Sequence, residues 1–257
     1  MKTLRELYQY REMIFMLVRR DLRGRYQASV LGFFWTFLNP LLQLGVYTLV
    51  FSVIMRSNIE KYYLFLFVAL IPWMFLASSI QVGATTVVAQ KDMVTKIHFP
   101  RQVLPIAHVT TCFVNMLLCF VVVFIVVGIS IGLNPVAMLY LIPTMLIEYI
   151  FALGLTLIFS AVTVYFRDTE HILGIAVMAW QFLSPVMYPA EWVPEKLLPL
   201  FNLNPMTPVI TAYRTILYYK EIPDLTTMLS ALGMGVFFLV VGWIVFEKLQ
   251  KRFAEVL

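Results

Sequence analysis

An all-α integral membrane architecture follows from three features of this sequence. Of its 257 residues, 61% are hydrophobic and 13% charged, against roughly 45 to 50% apolar and about 25% charged in an ordinary soluble domain. The apolar residues are gathered into long runs, and the charges lie between those runs. The mean hydropathy of +0.86 leaves more apolar surface than a water-soluble fold of this length can bury. At about 20 residues per crossing, six crossings use roughly half the chain. The rest suffices for ends, loops and surface helices, and a large soluble domain is excluded.

In chain order, Leu4 to Leu22 form an amphipathic helix, with Leu4, Leu7, Tyr8, Ile14, Phe15, Val18 and Leu22 on one side and Arg5, Glu6, Gln9, Glu12, Arg20 and Arg23 on the other. Such a helix directly ahead of a span lies in the membrane interface rather than crossing it. Six spans follow, at Ser29 to Met55, Tyr62 to Val88, Val103 to Leu133, Val136 to Tyr165, Ile172 to Tyr188 and Thr226 to Phe246. With the N-terminus in the cytoplasm, 14 of the 19 lysines and arginines fall inside and five outside, at Arg56, Lys61, Lys196, Arg214 and Lys220. That asymmetry orients the chain with both termini cytoplasmic. A cleaved signal peptide does not fit, because the first apolar run follows a long charged segment.

Two outside connections are very short, at Ser57 to Lys61 and Asn134 to Pro135. The stretch from Pro189 to Leu225 is different, broken by Pro189, Pro194, Pro199, Pro205, Pro208 and Pro223. Its apolar pieces, Leu197 to Leu203 and Val209 to Tyr219, are too short to span, which predicts re-entrant or interfacial gate helices between spans five and six. The chain reads as one transmembrane domain over 1–257: an interface helix to residue 28, five spans over 29–188, an extracytoplasmic gate region over 189–225, and the last span with a cytoplasmic tail over 226–257.

The chemistry excludes several classes. None of the 11 glycines opens a phosphate-cradling loop ending in Gly-Lys and a hydroxyl residue, so the chain is not expected to hydrolyse ATP. His98, His108 and His171 lack metal-protease spacing, and no metal site is expected. The basic start, with seven lysines and arginines before Gln27, suits anionic lipid better than nucleic acid, because bilayer sequence follows at once. Cys112 and Cys119 share a helix face and lie too far apart along it to bridge. The acidic pairs Glu191 with Glu195 and Glu221 with Asp224 read as solvated loop charges, which leaves a glycan-assembling membrane enzyme without a catalytic cluster.

Glu148 is the ionisable residue deep inside a predicted span, so it faces other helices. Two roles stay open for it: part of a polar conduit or gate, or a hydrogen-bonded structural contact. Phe33, Phe34, Trp35 and Phe37, with Trp180 further on, offer rings of the kind that stack on sugar faces, although membrane-belt and core packing use the same residues. The segment Gln90 to Arg101 (QKDMVTKIHFPR) carries Met93, Val94, Ile97 and Phe99 among charges, a pattern suited to docking in a groove on another protein.

Four stretches together resemble the membrane permease of bacterial ABC exporters of cell-surface polysaccharide, the O-antigen, capsule and teichoic acid group. They are RRDLRGRYQASVLGFFWTFLNPLL at Arg19 to Leu42, ALIPWMFLASSI at Ala69 to Ile80, YFRDTEHIL at Tyr165 to Leu173, and SPVMYP through NPMTPVITAYR at Ser184 to Arg214. The resemblance covers nearly the whole chain.

It implies a homodimer in the bacterial cytoplasmic membrane, with two copies of a separate ABC ATPase that hold Mg-ATP, and an undecaprenyl-linked glycan as cargo. On the same basis, Lys91, Asp92, Met93, Lys96, Ile97, His98 and Phe99 form the main coupling contact to the ATPase, and Arg167 and Asp168 a smaller one. Tyr188, Asn204, Pro205 and Arg214 fall in the gate region. Phe33, Phe34, Trp35, Phe37 and Trp180 would line the glycan passage. Arg19, Arg20, Arg23 and Arg25, helped by Arg5 and Arg11, would attract a diphosphate headgroup. An ABC exporter of drugs or small lipids and an ATP-independent secondary transporter are the competing readings.

Overall fold

A computed structural model describes residues 2–24 and 30–257. Every regular element among them is helical. Two short helices, α1 (Lys2–Gln9) and α2 (Arg11–Gly24), lead into α3 (Trp35–Thr48), which runs on as a π-helical turn over Leu49–Ile54. Next come α4 (Tyr62–Gln81), the short α5 (Thr86–Ala89) and α6 (Lys91–Lys96), α7 (Val103–Ser130), α8 (Pro135–Leu139) and α9 (Leu141–Tyr165). The chain closes with α10 (Thr169–Phe182), α11 (Leu198–Asn202), α12 (Met206–Leu217), α13 (Leu225–Leu249) and α14 (Phe253–Val256).

Many of the prolines set the helix starts. Pro105, Pro135, Pro143, Pro199 and Pro208 each sit in the first turn of a helix, where the missing N–H has no intrahelical acceptor to lose. Pro40 is different, being interior to α3. Its ring nitrogen cannot donate to the Thr36 carbonyl, and the Cys119 thiol supplies that bond from α7 at 3.3 Å.

Among the described residues, five stretches are long and apolar enough to cross a bilayer: Gly32–Ile54, Tyr62–Ala89, Val103–Ser130, Pro135–Tyr165 and Leu225–Arg252. They match five of the six predicted spans to within a few residues, and the chain is a multi-pass membrane protein. The predicted fifth span, Ile172 to Tyr188, takes another form. Its helix α10 has 14 residues, about 21 Å at 1.5 Å per residue, and is short for a bilayer core of about 30 Å. Past Phe182 the chain continues to Tyr188 in turns.

α4 sits at the centre, with side chains from Leu64 to Ile71 almost wholly buried. α9 and α13 make the closest seam. A Cβ on Gly154 would collide with the Phe238 and Leu239 backbone, and one on Gly242 with the Gly154 carbonyl. Helices approach this closely in membranes only where small residues meet.

A separate apolar cluster closes one end of the bundle. It brings together Leu17 and Val18 of α2, Val94 of α6, Phe99 of the loop that follows, Val103 and Leu104 of α7, Val164 of α9, Phe246 of α13 and Phe253 of α14. The N-terminal helices, the loop at 90–101 and the C-terminal end of the chain therefore share that end, as the charge asymmetry predicts. At the opposite end the last carbonyls of α7 are capped by lysines from other loops: Lys61 donates to Ser130 O at 2.9 Å and Lys220 to Ile131 O at 3.1 Å. Burial, then Tyr219 and Glu60 nearby, pushes the Tyr218 phenol above its ordinary range. It stays protonated and donates to the Glu60 carbonyl at 2.5 Å.

Candidate functional site

The predicted gate region is a polar knot built around two side chains. Asn204 joins the end of α10 to the start of α12. Its Oδ1 accepts from Trp180 Nε1 at 2.9 Å and from the Met206 backbone N–H at 3.0 Å, while its Nδ2 donates to Leu183 O at 3.0 Å and Ser184 Oγ at 2.9 Å. That uses the full hydrogen-bonding capacity of an amide side chain. Pro205, next in the chain, caps α12 with φ near −64°, the angle its ring enforces.

Arg214 does the same for the non-helical stretch behind α10. Its guanidinium, 5% exposed, donates from Nη2 to Val186 O at 2.7 Å, from Nη1 to Tyr188 O at 3.3 Å and from Nε to Phe65 O at 3.4 Å. It also lies 3.6 Å from the Phe65 ring centroid, a cation–π contact. Between the two gate carbonyls, Met187 O accepts from Tyr62 Oη at 2.7 Å. Three consecutive carbonyls, 186 to 188, are thus satisfied by side chains. Non-helical backbone at membrane depth requires such partners. Tyr188 closes the knot, donating from its hydroxyl to Phe182 O at 2.7 Å. Beside it an apolar cleft of about 530 Å³ is lined by Trp180, Tyr188, Trp192, Leu197, Phe201 and Asn204, among others.

Glu148 is fully buried and pairs with this region. Tyr213, the neighbour of Arg214 on α12, donates to Glu148 Oε2 at 2.7 Å, and Oε1 has no partner among the described residues. The sequence marks Glu148 as facing other helices, and it does. Its hydroxyl partner, 65 residues on, carries no local signal.

Of the aromatic candidates, Phe33, Phe34 and Trp35 lie on the surface, at 49%, 62% and 41% exposed, with Phe37 edge-on to Phe33 at 5.5 Å. Trp180 stands apart from them. It is half-buried, edge-on to Trp73 at 5.7 Å and to Phe151 at 6.2 Å, besides holding Asn204. The structure therefore groups four rings at the start of α3 and places the fifth in the gate knot.

The loop at 90–101 holds α6, with Asp92 and Lys96 paired at 3.1 Å. Lys91, Asp92, Lys96 and His98 are exposed, and so is Ile97 at 56%. Val94 and Phe99, expected on the same docking edge, turn inward to the apolar cluster, and Met93 packs against it. Ile97 is the apolar residue left facing out. Arg101 donates to the Gln250 carbonyl beside the last helix. Arg167 and Asp168 are exposed between α9 and α10.

On α2 the buried side is turned relative to the predicted one. Leu17 and Val18 are buried, and Leu7, Tyr10, Met13, Ile14 and Leu22 pack against the same cluster, whereas Tyr8, Phe15 and Met16 are more than 60% exposed. Arg19, Arg20 and Arg23 are exposed, with Arg20 bridging Asp21 at 3.1 Å. Arg25 and Ser29, the first residue of the predicted first span, lie outside the described residues.

Comparison with known proteins agrees with this arrangement. Residues 12–218 match the family model described as ABC-2 type transporter. The chain is 38% identical over 257 residues to a protein named O-antigen export system permease protein RfbA from Myxococcus xanthus, covering 99% of this chain and 98% of that one. It is 31% identical to a protein of the same name from Klebsiella pneumoniae, covering 96% of this chain and 95% of that one. A polysialic acid transport protein, KpsM, from Escherichia coli is 24% identical over 77% of this chain and 78% of its own length. A family match across four-fifths of a bundle with five bilayer-length helices places this chain in the ABC-2 type transporter family.

Proposed function

We propose that this chain is the transmembrane subunit of an ATP-driven exporter that carries a lipid-linked cell-surface polysaccharide across the bacterial cytoplasmic membrane. The observation that carries the reading is its 38% identity to an O-antigen export permease over 99% of the chain. The outward-facing rings of Phe33, Phe34 and Trp35 support it, being exposed aromatics of the kind that stack on sugar faces.

On this reading two copies of the chain assemble with two ABC ATPase subunits, and Mg-ATP is bound and hydrolysed on those partners. Lys91, Asp92, Lys96, Ile97 and His98 meet the ATPase from the first cytoplasmic loop, Met93, Val94 and Phe99 hold that loop in place, and Arg167 with Asp168 adds a second contact. Both termini face the cytoplasm, as the basic residues gathered at the α2 and α14 end suggest. The fifth crossing is composite: α10 enters from the cytoplasmic side, and the clamped turn at 183–188 with α11 and α12 completes it as a re-entrant gate. Asn204 and Arg214 hold that gate as one body. Arg19, Arg20, Arg23 and Arg25 attract the diphosphate of the undecaprenyl carrier, and Glu148 is a structural acceptor for Tyr213 behind the gate.

Mild-detergent purification of the tagged chain from its native membrane tests the reading. An ABC ATPase in equal amount, with lipid-linked sugar in the same fraction, is the expected result. Repeated recovery without an ATPase, under conditions that preserve other such complexes, overturns it in favour of an autonomous transporter.

A further inference from the structure

A second polar feature lies away from the gate, in a cavity of about 380 Å³ between α3, α4 and α7. Its volume falls within the usual range of small-molecule pockets. Trp35 and Asn39, both exposed, stand on its α3 side, Phe75 and Ser78 on α4, and Asn115 with Cys119 on α7. Among the described residues, no lysine, arginine, aspartate or glutamate lines it.

Asn115 makes the cavity unusual. It is 8% exposed, and among the described residues neither its amide oxygen nor its amide nitrogen has a partner. A buried amide without hydrogen bonds weakens a fold compared with an apolar residue of similar size. Packing therefore gives no reason for an asparagine at 115, where leucine or methionine would serve α7 better. A ligand that hydrogen-bonds to the amide does. The ligand chemistry follows from the wall: neutral donors and acceptors at Asn39, Ser78 and Asn115, an aromatic face at Trp35, and no charge to neutralise an acid or a base. Hydroxyl groups on a ring with an apolar face fit that wall.

We propose that this cavity is a subsite for one neutral sugar unit, entered from the side where the α3 rings are exposed and held by the Asn115 amide. The proposal rests on the polysaccharide-export reading and deepens it, because the cavity discriminates by charge: it accepts a neutral hexose and rejects a uronic or sialic acid.

The test uses the full chain with its ATPase partner in lipid nanodiscs, with thermal unfolding followed on addition of three single-chain probes below their micelle concentrations. These are octyl glucoside, octyl glucuronide and an octyl oligo-ethylene-glycol ether. The expected result is a rise in the unfolding midpoint with the glucoside that the other two do not give, abolished in Asn115→Leu and reduced in Asn39→Leu. Asn115→Leu without probe is expected to unfold at or above the wild-type midpoint, which separates loss of the ligand from loss of the fold. Equal shifts with glucoside and ether would make the cavity a site for acyl chains, and a glucoside shift that survives in Asn115→Leu would remove the amide from recognition. Either result overturns the proposal. ATP-dependent glycan export by the same wild-type complex is measured alongside. Export with no glucoside effect rejects the subsite and leaves the exporter standing, whereas no export and no co-purifying ATPase rejects the exporter itself.

Discussion

Two neighbouring spans of similar apolar character meet opposite surroundings. In the most apolar stretch of Tyr62–Ala89, 78% of residues are buried within the chain, against 6% in Gly32–Ile54. Composition does not separate them, since both are rich in leucine, valine and phenylalanine. In a bilayer the lipid-facing side of a helix is as apolar as its packed side, so hydropathy reports depth and not neighbours. The contrast divides the molecule. α4, α9 and α12 are largely buried within the bundle, and α3 with the outer face of α10 presents a bare apolar surface that includes Phe34, Val46, Val53, Ile172, Ile175 and Met178.

Substitutions in the two regions should separate accordingly, and the largest loss is expected at Arg214. Arg214→Leu strands the carbonyls of Val186 and Tyr188 and removes the cation from the Phe65 ring, and with unsatisfied groups costing about 1–3 kcal/mol each the variant should fail to accumulate as folded protein. Membrane yield and size-exclusion profile check this, and a well-folded Arg214→Leu would mean that the turn at 183–188 finds other donors.

Gly154→Val, in the α9–α13 seam, should come next, because its side chain has to displace backbone at Phe238 and not a flexible side chain. A loss of about 1–3 kcal/mol or more is expected for such overpacking, read as a lowered thermal midpoint in detergent. Asn204→Ala removes four hydrogen bonds at the α10–α12 joint and should cost about 2 kcal/mol. Trp180→Phe, which removes one of the four, should cost less than half of that, and equal losses would show that the ring and not the bond matters.

A smaller effect is expected in the loop at 90–101, where the comparison can be sharpened within five residues. Ile97→Asp changes an exposed side chain and should shift stability by no more than about 0.5 kcal/mol while reducing co-purification of the ATPase. Phe99→Asp buries a carboxylate among Val94, Val103 and Phe253 and should unfold that end of the bundle. If Ile97→Asp keeps full ATPase binding and export, the coupling role of the loop fails. At the bare surface, Phe34→Ala should leave the thermal midpoint within about 0.5 kcal/mol of wild type and lower glycan export. Unchanged export would return that ring to lipid contact.

Much of the architecture was legible in the sequence, and its limits have a physical cause. Predicted spans at Tyr62 to Val88 and Val103 to Leu133 meet helices running over Tyr62–Ala89 and Val103–Ser130, because a bilayer fixes both the length and the composition of a crossing. Ile172 to Tyr188 was equally apolar, yet its helix stops at Phe182. What allows the stop is a set of donors far off in sequence, Tyr62, Asn204 and Arg214, which no local pattern reveals. The docking edge of the 90–101 loop was misplaced for a similar reason: Val94 and Phe99 look free until α2 and α14 arrive to cover them. The α2 face was turned because Leu17 is followed directly by Val18, and helical spacing alone does not say on which side of that pair the protein lies. Asn204, Pro205 and Arg214 were singled out in sequence by family resemblance as part of a gate region, whereas the bonds of Asn204 to Trp180 and Ser184 and of Arg214 to the Val186 and Tyr188 carbonyls needed coordinates.

The clamp on those carbonyls also constrains how the protein is made. The Val186 and Tyr188 carbonyls wait for Arg214, 28 and 26 residues later in the chain, whereas Tyr62 precedes its acceptor by 125 residues. When α10 emerges from the ribosome, the turn behind it therefore has one of its donors in place and lacks the other. A buried carbonyl needs a donor, so the turn at 183–188 cannot take its clamped form until α12 has been synthesised. Assembly of this region is then a joint event: α10, the turn behind it and α12 lock together only once Arg214 has joined the chain.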